Sequence, residues 1–225
     1  METSTSRSPI ASFSALVFDF DGLILETETP VYQSWAEVYR EQGLDLPLEI
    51  WSETIGRGHH FDPLAHLEER LGRKLGPEIA ERRKARRTEM VEALEVLPGV
   101  YETMAEARRL GMRLGVASSS SRRWVVGHLE RLRMTDFDCI RCADDVQRAK
   151  PDPDLYLAVC ECLGVAPAQS VAFEDSANGI AAAKAAGLRC VAVPNPMTAG
   201  MDLSAADLRL PALSAMPLHD ILNRL

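Results

Sequence analysis

Hydrophobic residues are arranged in two different ways along this chain. The first arrangement is a short continuous run. Ala15-Leu16-Val17-Phe18 is apolar throughout and stops at Asp19-Phe20-Asp21-Gly22, the pattern of a strand buried on both faces. The second arrangement begins near residue 28, where apolar positions recur at helical spacing. Val31, Trp35, Val38 and Tyr39 share one face, and Gly43 closes that helix. Further helical patterns cover about 47–54, 63–71 and 77–94, punctuated by Gly72, Gly76 and Pro77. Beyond Leu97-Pro98-Gly99 short apolar runs return and alternate with amphipathic segments. The pattern predicts helices over about 99–110, 122–132, 153–163 and 177–186, and strands over 113–118, 138–142, 170–174 and 188–193. Strands alternating with helices pair in parallel through right-handed crossovers. The expectation is an α/β fold whose core combines residues 1–26 and 98–225. A helical body, residues 27–97, is inserted after the first strand, and the segment from Met201 to Leu225 packs on the core.

The predicted strands end in chemistry. Asp19 and Asp21 are two residues apart, so an extended chain aims both carboxylates to one side, where they repel unless a cation or a proton intervenes. Arg113-Leu-Gly-Val-Ala117 runs into Ser118-Ser119-Ser120-Ser121, which offers hydroxyls and free N–H groups to an oxyanion. Lys150-Pro151-Asp152-Pro153 brings a point positive charge on an extended approach to a helix. Ser170-Val-Ala-Phe173 ends in Glu174-Asp175-Ser176, and Glu174 and Asp175 are hard oxygen ligands of the type Mg²⁺ takes. Singly, these read as a helix cap, a solvated lysine or an acidic turn. Jointly, they fall at strand ends or in the loops just after them, where open parallel sheets bind ligands.

With these four motifs in this order, the chain resembles the haloacid dehalogenase-like hydrolase superfamily, in particular the subgroup of β-phosphoglucomutase and sugar-phosphate phosphatases. The similarity runs from about Ser14 to Pro196. It implies a Rossmann-like core with a helical cap. It further implies that Asp19 is the nucleophile and Asp21 the general acid/base, and that Ser118, Ser119 and Lys150 hold the phosphoryl group. Asp19, Asp21, Glu174 and Asp175 would form a Mg²⁺ site. The implied activity is Mg²⁺-dependent hydrolysis of a small phosphorylated sugar or polyol through an aspartyl-phosphate. The alternative is a sugar-phosphate mutase, but β-phosphoglucomutases carry a histidine in the first cap helix where this chain has Val31. Asp21 argues against dehalogenase and phosphonate chemistry, and retention of every motif argues against a non-catalytic binding module.

The cap would hinge at 23–27 and 97–99 and close over substrate. Its loop 54–62 places Arg57 between two glycines, so Arg57 and His59 are candidates for substrate contact. Glu26 stands where relatives have aspartate, and reads either as a tuner of closure or as a surface charge. His66, His128 and His219 form no ligand set.

Composition narrows the partners. The net charge of −8 over 225 residues argues against a nucleic-acid surface. The run Arg82-Arg83-Lys84-Ala85-Arg86-Arg87, flanked by glutamates, reads as a solvated, salt-bridged helix face. Five cysteines are an odd number, and Cys139 and Cys142 lack the partners of a zinc site, so buried free thiols are expected. The first dozen residues have no apolar core for a signal peptide, and no run is long enough to span a bilayer. A cytoplasmic protein is expected, with a small phosphorylated metabolite as its partner and no membrane or protein partner indicated.

Overall fold

The computed structural model describes residues 13–52, 55 and 61–225. Six parallel strands form one sheet in the order β3-β2-β1-β4-β5-β6. They are β1 Ala15–Phe18, β2 Arg113–Ala117, β3 Cys139–Arg141, β4 Ser170–Glu174, β5 Arg189–Ala192 and β6 Leu208–Arg209. β1 is central and all four of its residues are buried, as its unbroken apolar run requires. Phe18 lies opposite Val116 on one side and Phe173 on the other, so β1, β2 and β4 end level with one another. Strand order reverses on either side of β1, and the crevice opened at such a reversal is where this architecture takes its ligands.

Helices α5 (Val100–Arg109), α6 (Arg122–Arg131), α7 (Asp154–Leu163), α8 (Ala177–Ala186) and α9 (Leu218–Asn223) cover the sheet. One apolar cluster packs Leu16, Phe18 and Phe173 against α5, α6 and α9. The other packs Val17 and Ala172 against α7 and α8. Ser121 caps α6 and Ser176 caps α8, which leaves Ser118 and Asp175 free for other work.

Between β1 and α5 lie α1 (Glu28–Glu41), α2 (Leu48–Ser52), α3 (Pro63–Leu71) and α4 (Pro77–Glu92). They have a separate apolar cluster, formed by Val38, Tyr39, Leu46, Trp51, Ile55, Leu67 and Ile79. The chain enters and leaves this helical insertion through adjacent segments: Leu25 bridges Val96, and Leu97 N–H donates to the Ile24 carbonyl at 2.9 Å.

Two features depart from expectation. Cys139 is not a free thiol; it is bonded to Cys162, because α7 packs over β2 and β3 and brings the two Cα atoms within 6.2 Å. That contact joins residues 23 positions apart and leaves no local signal. Cys142, Cys160 and Cys190 are buried and free. The strand β6 was also unforeseen, since two residues are too few to show a period. No helix among the described residues is long and apolar enough to cross a membrane.

Candidate active site

Asp19 sits one residue beyond β1, held by its N–H to the Phe173 carbonyl at 2.9 Å. Its carboxylate is buried and paired with Lys150, whose Nζ also lies 2.6 Å from Glu174 Oε1. Glu174 is further occupied by Tyr156 Oη at 2.6 Å and by the N–H and hydroxyl of Ser176. Oxygens of Asp19, Glu174 and Asp175 all lie within 4.8 Å of one another. Asp175 is steadied by Asn195, whose Nδ2 donates to Asp175 Oδ2 at 2.7 Å and to the Gly22 carbonyl at 3.2 Å. Asn195 Oδ1 in turn accepts the N–H groups of Met197 and Thr198.

Crowding explains two glycines here. A Cβ on Gly22, which has φ of 85°, would collide with the Asp175 carboxylate, and one on Gly179 would collide with Glu174. Burial pushes the carboxyls of Asp19 and Asp175 up, and the neighbouring acids push them further against the pull of Lys150. Burial alone would lower the Lys150 ammonium, but Asp19 and Glu174 hold it above its ordinary range.

Asp21 faces the same cavity but keeps other company. Its Oδ1 accepts Thr27 Oγ1 at 2.7 Å and Trp124 Nε1 at 2.8 Å; its Oδ2 accepts Ser120 Oγ at 2.6 Å and lies 3.4 Å from Ser118 Oγ. The carboxylate of Asp21 is therefore outside the three-acid group, tied instead to hydroxyls and an indole. Ser118 is buried and Ser119 lines the cavity, whose volume is about 910 Å³. Glu28, in the first turn of α1, also lines it, and burial together with Asp21, Asp19 and Glu26 pushes its carboxyl up to about 8.

The structure thus brings Asp19, Asp21, Ser118, Ser119, Lys150 and Asp175 to one cavity, with Glu174 immediately behind Lys150. Arg57 and His59 lie outside the described residues. Glu26 accepts the Thr29 N–H at 3.1 Å and so steadies the start of α1. His66 contacts Tyr39, His128 stacks on Phe20 and meets Trp124 edge to face, and His219 pairs with Glu106, so none belongs to the site. Sequence reasoning missed Thr27, Ser120, Trp124, Tyr156 and Asn195. Only Ser120, inside the serine run, had a local signal.

The haloacid dehalogenase-like hydrolase family profile matches residues 16–193. The chain belongs to this family. Among relatives of this hydrolase is a Bacillus subtilis (strain 168) protein named "Putative phosphatase YhcW", 44% identical over 213 residues, 94% of this chain and 97% of the relative. Hexitol phosphatase B of Escherichia coli (strain K12) is 32% identical over 227 residues, 98% of this chain and 100% of the relative. The crystal structure of CbbY from Rhodobacter sphaeroides in complex with phosphate superposes with a TM-score of 0.71 at 30% identity, covering 90% of this hydrolase and 95% of CbbY.

The donor set of this hydrolase fits a hard divalent cation. Asp19 and Asp175 present oxygens into the cavity, the acids are crowded enough to raise one another, and Asn195 fixes Asp175 from behind. Of the three, Glu174 is the most fully engaged by protein donors, which makes it the orienting member of the group.

Proposed function

We propose that this phosphoric monoester hydrolase is a Mg²⁺-dependent phosphatase of small phosphorylated sugars or polyols, acting through an aspartyl-phosphate. One observation carries the reading: Asp19 and Asp21 enter one cavity with different partners. Asp19 is matched to a lysine within a cluster of acids, and Asp21 to neutral donors.

A phosphate monoester resists attack because its oxygens repel an incoming anion. Lys150 offsets that charge from one side, and Ser118 with the following backbone N–H groups orients the phosphoryl oxygens. Asp19 and Asp175, with Glu174 behind them and Asp21 beside them, would hold Mg²⁺. The ion supplies charge neutralisation and in-line alignment of the transferring group. An oxygen of Asp19 attacks phosphorus, forming the acyl phosphate as the ester oxygen departs. Asp21 gives its proton to that oxygen. As a carboxylate it then takes a proton from the water that attacks the acyl phosphate, releasing phosphate and regenerating Asp19. General acid–base help of this type contributes ~10²–10⁴-fold. Thr27, at the entrance of the helical insertion, donates to Asp21, so movement of the insertion would be felt directly at the acid/base. We assign residues 27–97 as a cap that closes over substrate and excludes water, on a core formed by 1–26 and 98–225.

Val31 lines the cavity where a mutase of this subgroup would present histidine, which favours transfer to water. The test is phosphate release from a panel of phosphorylated sugars and polyols, with Mg²⁺ or with chelator. Mg²⁺-dependent release is expected. Conversion of β-glucose 1-phosphate to glucose 6-phosphate without release would overturn the hydrolytic reading.

A further inference from the structure

Helix α4 carries its cations on two stripes that meet different fates. Arg82 pairs with Glu41, and Arg86 pairs with Glu37 and Glu89, all at the exposed surface. This is the salt-bridged face that the run of charge suggested. Arg83 and Arg87, one position on and one helical turn apart, correct that picture: they line the cavity above Asp19 and Asp21. Among the described residues neither lies within ion-pair distance of a carboxylate. Arg83 donates from Nε to Ser34 Oγ at 3.0 Å, and its guanidinium lies 4.6 Å over the ring of Trp35. Arg87 lies 4.9 Å over the ring of Trp124, and its Nε is sequestered from solvent without a hydrogen-bond partner among the described residues.

Two guanidiniums one turn apart repel each other, and both are partly withdrawn from water. Burial, then repulsion from Arg87, lowers Arg83 to about 10, and burial lowers Arg87 as well. No acid in the same cavity pairs with them directly: the charge of Asp21 only partly offsets the burial of Arg87. Asp21 is taken by three hydroxyls and the Trp124 indole, and Asp19 by Lys150. Stacking on an indole satisfies the face of a guanidinium but leaves its N–H edge directed outward, in the planar fork that grips a phosphate or carboxylate. The roof therefore holds two cations prepared for an anion that the protein does not provide. The reacting phosphoryl group does not fill this role, because Lys150 and Ser118 receive it at the floor.

We propose that Arg83 and Arg87 form a second anion subsite. The preferred substrate is then a phosphorylated metabolite bearing a second anionic group, phosphate or carboxylate, several bonds from the phosphoryl that reacts. The inference rests on the phosphatase reading for its choice of substrates, and the cavity of about 910 Å³ has room for both groups.

The Asp19→Asn chain, with Mg²⁺, allows binding to be measured without turnover. Three ligands of equal length are compared by calorimetry: a polyol phosphate with a neutral far end, a sugar-acid phosphate with a carboxylate there, and a bisphosphate. At least one of the two doubly anionic ligands is expected to bind about ten- to a hundredfold more tightly than the neutral-ended one. Which one does so distinguishes a carboxylate from a phosphate. In the active enzyme the same preference is expected in kcat/KM. Arg83→Gln and Arg87→Gln should erase it through KM, while Arg83→Lys and Arg87→Lys should retain part of it, keeping the charge but losing the fork. Equal affinity for all three ligands would overturn the proposal without reference to any arginine variant, and so would an unchanged preference in folded glutamine variants. A chain that releases no phosphate from any ester would sink the hydrolytic reading, while the binding comparison still decides the subsite.

Discussion

The floor and the roof of the cavity handle charge in opposite ways. At the floor, Asp19, Glu174 and Lys150 are almost wholly buried, and the lysine is in direct contact with both acids. At the roof, Arg83 and Arg87 rest on indoles with no direct ion pair among the described residues, and Arg87 feels only the more distant charge of Asp21. A buried group held by direct contacts is rigid and preorganised, which suits bond-making. An unbalanced, half-exposed group is poised for a ligand. The difference separates reaction from recognition, and each prediction below tests one side of it.

The largest effect belongs to the floor. Asp19→Asn removes the proposed nucleophile and should reduce kcat by a factor of at least about 10⁴, measured as phosphate release under saturating Mg²⁺. Its fold should persist, because Lys150 keeps Glu174 as partner and one member of a crowded acid group has been neutralised. Substantial turnover in this variant would move the chemistry elsewhere and dissolve the distinction.

Next comes Lys150→Met. It leaves Asp19 and Glu174 buried without their cation, and breaking a buried pair from one side costs about 3–5 kcal/mol. Urea unfolding should register that loss in chelator, and added Mg²⁺ should restore part of it by ligating the unpaired acids. Removing a roof arginine leaves no stranded partner, so Arg87→Gln should cost under about 1 kcal/mol in the same assay. If the two variants were equally unstable, charge would be balanced alike in both regions.

The two regions were also unequally legible in the sequence. Asp19, Lys150 and Asp175 stand at the ends of apolar runs or in proline-marked turns, where local pattern and topology together locate a ligand site. Parallel strands in register then align those ends, so their meeting follows from the fold. Trp124 and Asn195 reach the site from the first turn of α6 and from a loop beyond β5, and nothing in their neighbours points inward. Arg83 and Arg87 were misread for a definite reason. Helical spacing separates them from Arg82 and Arg86, but only the packing of α1 against α4 shows which stripe faces the cavity. The Cys139–Cys162 bond was illegible on the same grounds, being a product of how α7 lies on the sheet.

Trp124 links the regions, since its indole N–H holds Asp21 while its ring supports Arg87. Trp124→Phe keeps the ring and removes the donor. One hydrogen bond to the proposed acid/base should then be lost, lowering kcat roughly tenfold with KM little changed. A change in KM alone would place Trp124 with recognition and leave the positioning of Asp21 to Thr27, Ser118 and Ser120.

The smallest expected effect is a pH dependence at the boundary between floor and roof. Burial, and then the charges of Asp21, Asp19 and Glu26, raise the Glu28 carboxyl from 4.5 to about 8. The folded chain therefore keeps a proton on Glu28 across a window in which the unfolded chain has released it. Stability is fully present below about 4.5 and is lost as pH rises through about 8. Glu28→Gln should flatten that slope and stabilise the protein at pH 8 and above, by on the order of 1 kcal/mol once water in the cavity is allowed for. Asp19 and Asp175 contribute slope of the same sign in both proteins, so the informative quantity is the difference between urea titrations of the two in chelator. An unchanged slope would mean that Glu28 stays ionised in the folded chain and that the acids around it do not set its charge.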